Sequence, residues 1–330
     1  MAKVNKFIDL HFHLDGSITP EIAKKLAKLQ QIPLNFKSEQ ELINAIRVPE
    51  ECNSLNDFLK CFEFPLSLLQ TSIGIEEAVY LVLEEAKKSG VIYAEVRFAP
   101  QLHLNKGLTQ EEVIKSALKG LKKASIKANL ILCLMRGDNN YQENLLTVEL
   151  AHKYLVNDGG VVALDLAGAE TLYPTIDFQS LFALAKKYNI PFTIHAGEVE
   201  EPKSIIHALS FGAKRIGHGI RLLENEEATT LAKSSDAYFE MCPTSNFLTK
   251  AISSYKEFPI KAFINKGLKI TINTDDLAIE GTSIDKEFEL LEREFEITKE
   301  DEIKFLLNSI ECAFTTDEVK KYLRKEILDQ

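Results

Sequence analysis

The sequence predicts an α/β protein of the (β/α)8 TIM-barrel class, with extra helices between the first and second strands and at the C-terminus. Two observations carry this. Eight short apolar, β-branched runs recur along 330 residues, and most are separated by polar stretches with helix-start signals. Strands alternating with helices imply βαβ crossovers and a parallel sheet. Eight such units suggest closure into a barrel, and an open doubly wound sheet is the structural alternative. A third observation is that the chemically active side chains fall where the runs end.

The first run is KFIDLHFH (6–13), followed by Thr19-Pro20-Glu21, which places proline in a first helical turn. The interval to the second run, about 14–90, is too long for one crossover helix, so extra helices are expected there. They include SLNDFLKCFEFPLSLL (54–69), within an insertion at about 38–72 that covers one mouth as a helical lid. VIYAEVRFA (91–99) comes next, then Thr109 and Glu112 at capping-box spacing. The remaining runs are NLILCLMR (129–136), VVALDLAG (161–168), PFTIHAG (191–197), AKRIGHG (213–219), AYFEMCP (237–243) and LKITINTDD (268–276). Beyond residue 282 the tail reads as helices, with Thr298 and Asp301 capping one and Thr315-Thr316 opening another. No Pro/Gly/Ser linker interrupts the chain, so 1–330 reads as a single domain.

Composition narrows the function classes. Hydrophobic residues make up 45% and charged residues 27%, ordinary for a soluble globular protein with a large core. The net charge of −10 argues against a nucleic-acid partner held by phosphate neutralisation. No apolar run approaches the roughly 18 residues of a membrane span. Cys52, Cys61, Cys133, Cys242 and Cys312 are scattered and form no C-x-x-C pair, which points to a reducing, cytoplasmic compartment. Composition does not fix the oligomeric state.

Only seven histidines occur, and four of them end a strand candidate: His11 and His13 on the first, His195 on the fifth, His218 on the sixth. Glu198 follows the fifth and Asp275-Asp276 the eighth. Barrel active sites form at the C-terminal ends of the strands, so these groups converge on one mouth. Residues two apart on a strand share a face, so His11 and His13 can bind one cation together. Zinc takes histidine nitrogens and, in catalytic sites, keeps a position open for water; His195 could add a nitrogen and Asp275 an oxygen. Taken singly, each has a plainer reading: core histidines, a turn histidine in GHG, a surface glutamate at a helix start, a solvated aspartate turn.

Together, HFHLDGS, SLNDFLKCF, YAEVRFAP, ALDLAGAE, HAGE, RIGHG, CPTSN and INTDD, in that order, resemble the adenosine deaminase family of the metal-dependent amidohydrolases. The resemblance spans almost the whole chain. It implies one Zn2+ per subunit, with His11, His13, His195 and Asp275 as ligands. It implies Glu198 as proton donor to the purine ring and His218 as the residue that orients the attacking water. Asp15 matches the acid that takes the ribose 5′-hydroxyl, Gly168 the glycine whose backbone N–H meets the purine, and Asp276 the acid bonded to the ring's imidazole edge. His13 also borders the substrate, and Leu55, Phe58 and Phe62 match the apolar cover of the pocket. Ala169 stands where an acid is common, and Leu277 where proline is common.

The implied reaction is hydrolytic deamination of adenosine and 2′-deoxyadenosine to the inosines and ammonia, in purine salvage. A carboxylate at position 15 would accept a hydroxyl's hydrogen bond and repel a phosphate dianion. Relatives acting on adenine or aminodeoxyfutalosine tend to carry Glu in the matching stretch, so HLDG favours the nucleoside. Deamination of another 6-aminopurine, or an inactive nucleoside-binding protein, are the competing readings; the second would have lost a matched group, and none is lost. VVALDLAG lacks the lysine that two-metal members use as a bridging carbamate. The spacings of the cytidine-type zinc deaminases are absent.

Overall fold

The computed structural model describes residues 4–49, 58, 60–199 and 201–330. Among them, eight strands follow one another around a barrel: β1 (Phe7–His13), β2 (Val91–Phe98), β3 (Lys127–Met135), β4 (Val161–Ala167), β5 (Thr193–Ala196), β6 (Arg215–His218), β7 (Tyr238–Met241) and β8 (Lys269–Ile272). All neighbouring strands pair in parallel, β1 to β4 in one sheet and β5 to β8 in the other. Single bridges close the circle at both seams, Leu164 with Phe192 and Phe12 with Asp275. At the second seam His13 N–H donates to the Asp275 carbonyl at 2.9 Å and Asp275 N–H to the His11 carbonyl at 2.8 Å. The barrel therefore shuts through His11, His13 and Asp275, three of the candidate ligands, and the open-sheet alternative falls.

Helices start where side chains can answer the first free N–H groups. Thr19 accepts from Ile22 ahead of Pro20–Gln30, and Thr109 and Glu112 cap Gln110–Lys123 reciprocally. Thr298 and Asp301 do the same for Lys299–Cys312, and Thr316 caps Asp317–Leu328. The interval before β2 holds the helices Pro20–Gln30, Glu39–Asn44, Glu63–Leu68 and Ser72–Lys88. Of the stretch expected as a lid, 50–57 and 59 lie outside the described residues, and Leu55 with them. Val48 N–H bonds to the Ile279 carbonyl at 2.9 Å, and Phe58, Cys61 and Ile279 form a small apolar cluster. This ties the insertion to the turn after Asp276. No helix among the described residues is long and apolar enough to cross a membrane.

The barrel's interior is not the stack of branched aliphatics usual for this fold. Arg97 and Arg215 head the largest fully buried side chains, each 0% exposed. Arg215 faces Glu95 at 2.6 Å and Glu240 at 2.5 Å. Arg97 reaches Asp165 and Glu240, both at 2.9 Å, and the Leu10 carbonyl at 2.7 Å. Burial of isolated charges is costly, and here each cation lies between two acids. Phe314 closes the lower end: its N–H bonds Glu95 at 2.6 Å and the Arg215 guanidinium lies 4.1 Å from its ring centroid.

Candidate active site

At the opposite end of the barrel, β1, β5 and the turn after β8 bring His11, His13, His195 and Asp275 together, with donor atoms all within 4.8 Å of one another. His11 Nε2 lies 3.2 Å and His13 Nε2 3.4 Å from Asp275 Oδ1, and the His13 and His195 Nε2 atoms are 3.3 Å apart. The outward ring nitrogens show what these inner ones must be. His11 Nδ1 meets Glu240 at 2.7 Å and His195 Nδ1 meets Asp165 at 2.9 Å. Both acids are held well below the usual carboxylate range: burial alone would raise them, but Arg97 with His195, and Arg97 with Arg215, outweigh it. Ionised acids accept, so the Nδ1 atoms donate, which leaves the inward Nε2 atoms to offer lone pairs to a cation.

Lone pairs and a carboxylate oxygen then face one another, and His11 Nε2 is buried with no hydrogen-bond partner. Burial holds His13 well below its ordinary pKa, leaving its lone pair free at neutral pH. Such an array is repulsive unless a cation lies among its members. Ligands about 2.0–2.2 Å from a common centre at tetrahedral angles stand about 3.3–3.5 Å apart, close to the spacings found, so the donor set fits zinc.

Around the cage, Ser245 Oγ donates to Asp275 Oδ2 at 2.7 Å. Burial would raise the Asp275 carboxyl, but His11, close against it, holds it well below its ordinary value. His218 ends β6, with Nε2 3.6 Å from Asp275 Oδ2 and 3.7 Å from Glu198 Oε2. On its other side Nδ1 contacts Asn246 Nδ2 at 3.2 Å. Burial drops its pKa to about 3, so the ring is neutral. His218 and Asp275 have φ values of +60° and +63°, a left-handed backbone that persists only where the surrounding structure holds it. Glu198 is pushed up to about 8 by burial and by the charges of Asp275 and Glu170, so it keeps its proton at neutral pH. Asp276 is raised well above its ordinary value by burial and by Asp275 and Asp15.

A cavity of about 290 Å3 opens beside the cage. Its lining includes His13, Asp15, Phe58, Phe62, Gly168, His195, Glu198, His218, Asp275 and Asp276. One flank is apolar, formed by Ala99, Leu102, Cys133, Met135 and Ala167. Burial raises Asp15 to about 6, so it is mostly ionised at neutral pH. Gly16 has a steric role: a Cβ there would overlap the Asp276 carboxylate. Of the residues expected from the sequence, only Leu55 lies outside the described residues; His11 sits in the cage, and the rest border this cavity.

The sequence reading missed the groups behind the site: Arg97, Asp165, Glu240, Ser245, Asn246, Arg136 and Glu170. A signal existed for the first three. Each is a charge within an apolar strand covered on both faces, Arg97 sharing its strand with Glu95, and an unpaired charge there is untenable.

The adenosine deaminase family model matches residues 7–330. An adenosine deaminase of Haemophilus ducreyi is 43% identical over 326 residues, covering 97% of this chain and 95% of that protein. One from Enterococcus faecalis is 40% identical over 324 residues, with 97% and 95% covered. Among solved structures, the adenine deaminase of Arthrobacter aurescens superposes with a TM-score of 0.88 at 25% identity, covering 99% of each chain.

Proposed function

The chain belongs to the adenosine deaminase family, and on that premise we propose that its mouth cavity deaminates adenosine and 2′-deoxyadenosine with one zinc ion per chain. The observation that carries this is a buried, protonated Glu198 beside inward-facing His11, His13 and His195 lone pairs and Asp275. These four residues would hold the metal. Zinc, when bound, supplies the Lewis acidity that makes water nucleophilic near neutral pH. Other roles belong to the chain's own groups. Glu198 gives its proton to purine N1, which makes C6 electrophilic. Neutral His218, with Asp275 fixed by Ser245, holds the attacking water in line with C6. Water adds at C6, ammonia leaves, and the balance is adenosine plus water to inosine plus ammonia.

The cavity also orients the substrate. Asp276, kept protonated, donates to the acceptor nitrogen of the imidazole edge. The Gly168 N–H meets the opposite edge, where φ is +104°. Phe58 and Phe62, with ring centroids 5.8 Å apart, cover the base. Asp15 accepts from the 5′-hydroxyl and disfavours a phosphate there. Cys133, Cys242 and Cys312 are buried free thiols, in keeping with a cytoplasmic enzyme of purine salvage. The barrel and its terminal helices act as one domain.

Likeness to an adenine deaminase structure makes the free base the second reading. A panel of adenosine, deoxyadenosine, adenine, AMP and aminodeoxyfutalosine, followed by ammonia release, separates them. Adenosine and deoxyadenosine are turned over fastest and AMP poorly. A chelator abolishes turnover and zinc restores it. Faster turnover of adenine overturns the specificity, and full activity after metal removal overturns the zinc assignment.

A further inference from the structure

We propose that Glu170 is a positioning residue for the proton donor: its buried carboxylate grips the backbone of the HAGE turn and so aims the Glu198 carboxyl at the purine. This rests on the reading of Glu198 as that donor. Glu170 is 5% exposed, two residues beyond Gly168 in the loop after β4. Its Oε1 accepts from Gly197 N–H at 2.6 Å, and its Oε2 from Glu198 N–H at 3.1 Å and Val199 N–H at 3.3 Å. Three successive amides converging on one anion form a backbone nest, filled here by the protein's own side chain.

The turn is fixed from other sides too. Arg221 N–H donates to the Gly197 carbonyl at 3.1 Å. Gly197 has φ +68°, and a Cβ there would overlap Ile205. Arg136 bonds the His195 carbonyl at 2.7 Å and the Tyr173 carbonyl at 2.6 Å, stitching the loop after β4 to the end of β5. The Glu198 side chain is held far more lightly: its hydrogen bond is from Thr249 Oγ1, at 3.3 Å. Its direction is therefore set by the backbone, and the backbone by Glu170. Proton transfer and in-line attack depend steeply on placement, and a displacement of about 1 Å can cost about 10²-fold in rate. The same loop carries Gly168, so one segment registers both the base and the acid that protonates it.

The test is a double-mutant cycle on the zinc-loaded chain with adenosine: Glu170→Gln, Glu198→Gln and both together. Glutamine offers one acceptor oxygen and turns an NH2 against amide donors. Glu170→Gln is expected to lower kcat about 10²-fold, with KM changed far less and zinc content unchanged. Because Glu170 acts through Glu198, the double variant should be no slower than Glu198→Gln alone. Glu170→Asp keeps both acceptor oxygens and should recover part of kcat; it carries the test if the glutamine variant loses its fold. Wild-type kcat in Glu170→Gln beside an inactive Glu198→Gln overturns the proposal alone. So does a Glu170→Gln loss that multiplies in full onto that of Glu198→Gln. Near-normal turnover in Glu198→Gln overturns the donor assignment beneath it.

Discussion

Glu198→Gln lowers kcat by about 10²–10⁴-fold, the usual worth of a positioned general acid, while the chain keeps its zinc. The amide matches the carboxyl in shape and can still accept from Thr249 at the position Glu198 Oε1 occupies. It lacks only the transferable proton. That proton is present at neutral pH because burial, reinforced by Asp275 and Glu170, raises the carboxyl to about 8. The sign for the wild-type chain follows: activity is held below that pKa and lost as pH rises through about 8, because the ionised carboxylate cannot protonate N1. Ammonia release against pH gives the profile, and metal analysis of the variant separates lost acid from lost zinc. Near-normal turnover in a zinc-replete variant would sink the assignment.

The eight strands were readable because both faces of a barrel strand are covered, so each appears as an apolar run rather than an alternation. The short later strands came out too long. The run 191–197 contains a strand of only Thr193–Ala196, because Gly197, at φ +68°, already turns the chain. Closure followed from the count of eight, but the seams that achieve it were not readable, since each rests on a single bridge, Leu164 with Phe192 and Phe12 with Asp275, that no local spacing encodes. The cage was partly legible: H-x-H on a strand puts two imidazoles on one face. What orients them was not. His11 leans on Glu240 and His195 on Asp165, pairings between distant strands that no local spacing encodes. Glu170 was hidden for another reason. A glutamate in a loop reads as solvated until the fold turns three amides toward it.

Arg97→Met is the substitution expected to damage the protein most broadly. Arg97 is fully buried and bridges Asp165 and Glu240, each of which accepts from the outward nitrogen of a cage histidine. Methionine fills much of the volume but leaves two buried acids short of a cation and the Leu10 carbonyl without its donor. Breaking a buried pair by removing one partner costs about 3–5 kcal/mol. Denaturant midpoints of the metal-free chains should therefore separate widely. The acids add a pH signature. Held well below their ordinary range, they contribute stability above the unfolded carboxylate pKa of about 4, lost as pH falls through the folded values. The variant forfeits much of that contribution, so it unfolds at less acidic pH. Loss of such an outer support also weakens metal binding by about 10–100-fold, measurable by competition with a chelating dye. Arg97→Lys should recover little, because one ammonium cannot reproduce the guanidinium fork that spans two carboxylates and a carbonyl. A methionine variant with wild-type midpoint and zinc affinity would show that His11 and His195 are held by their acids alone. Arg97 would then serve only to neutralise the barrel's interior.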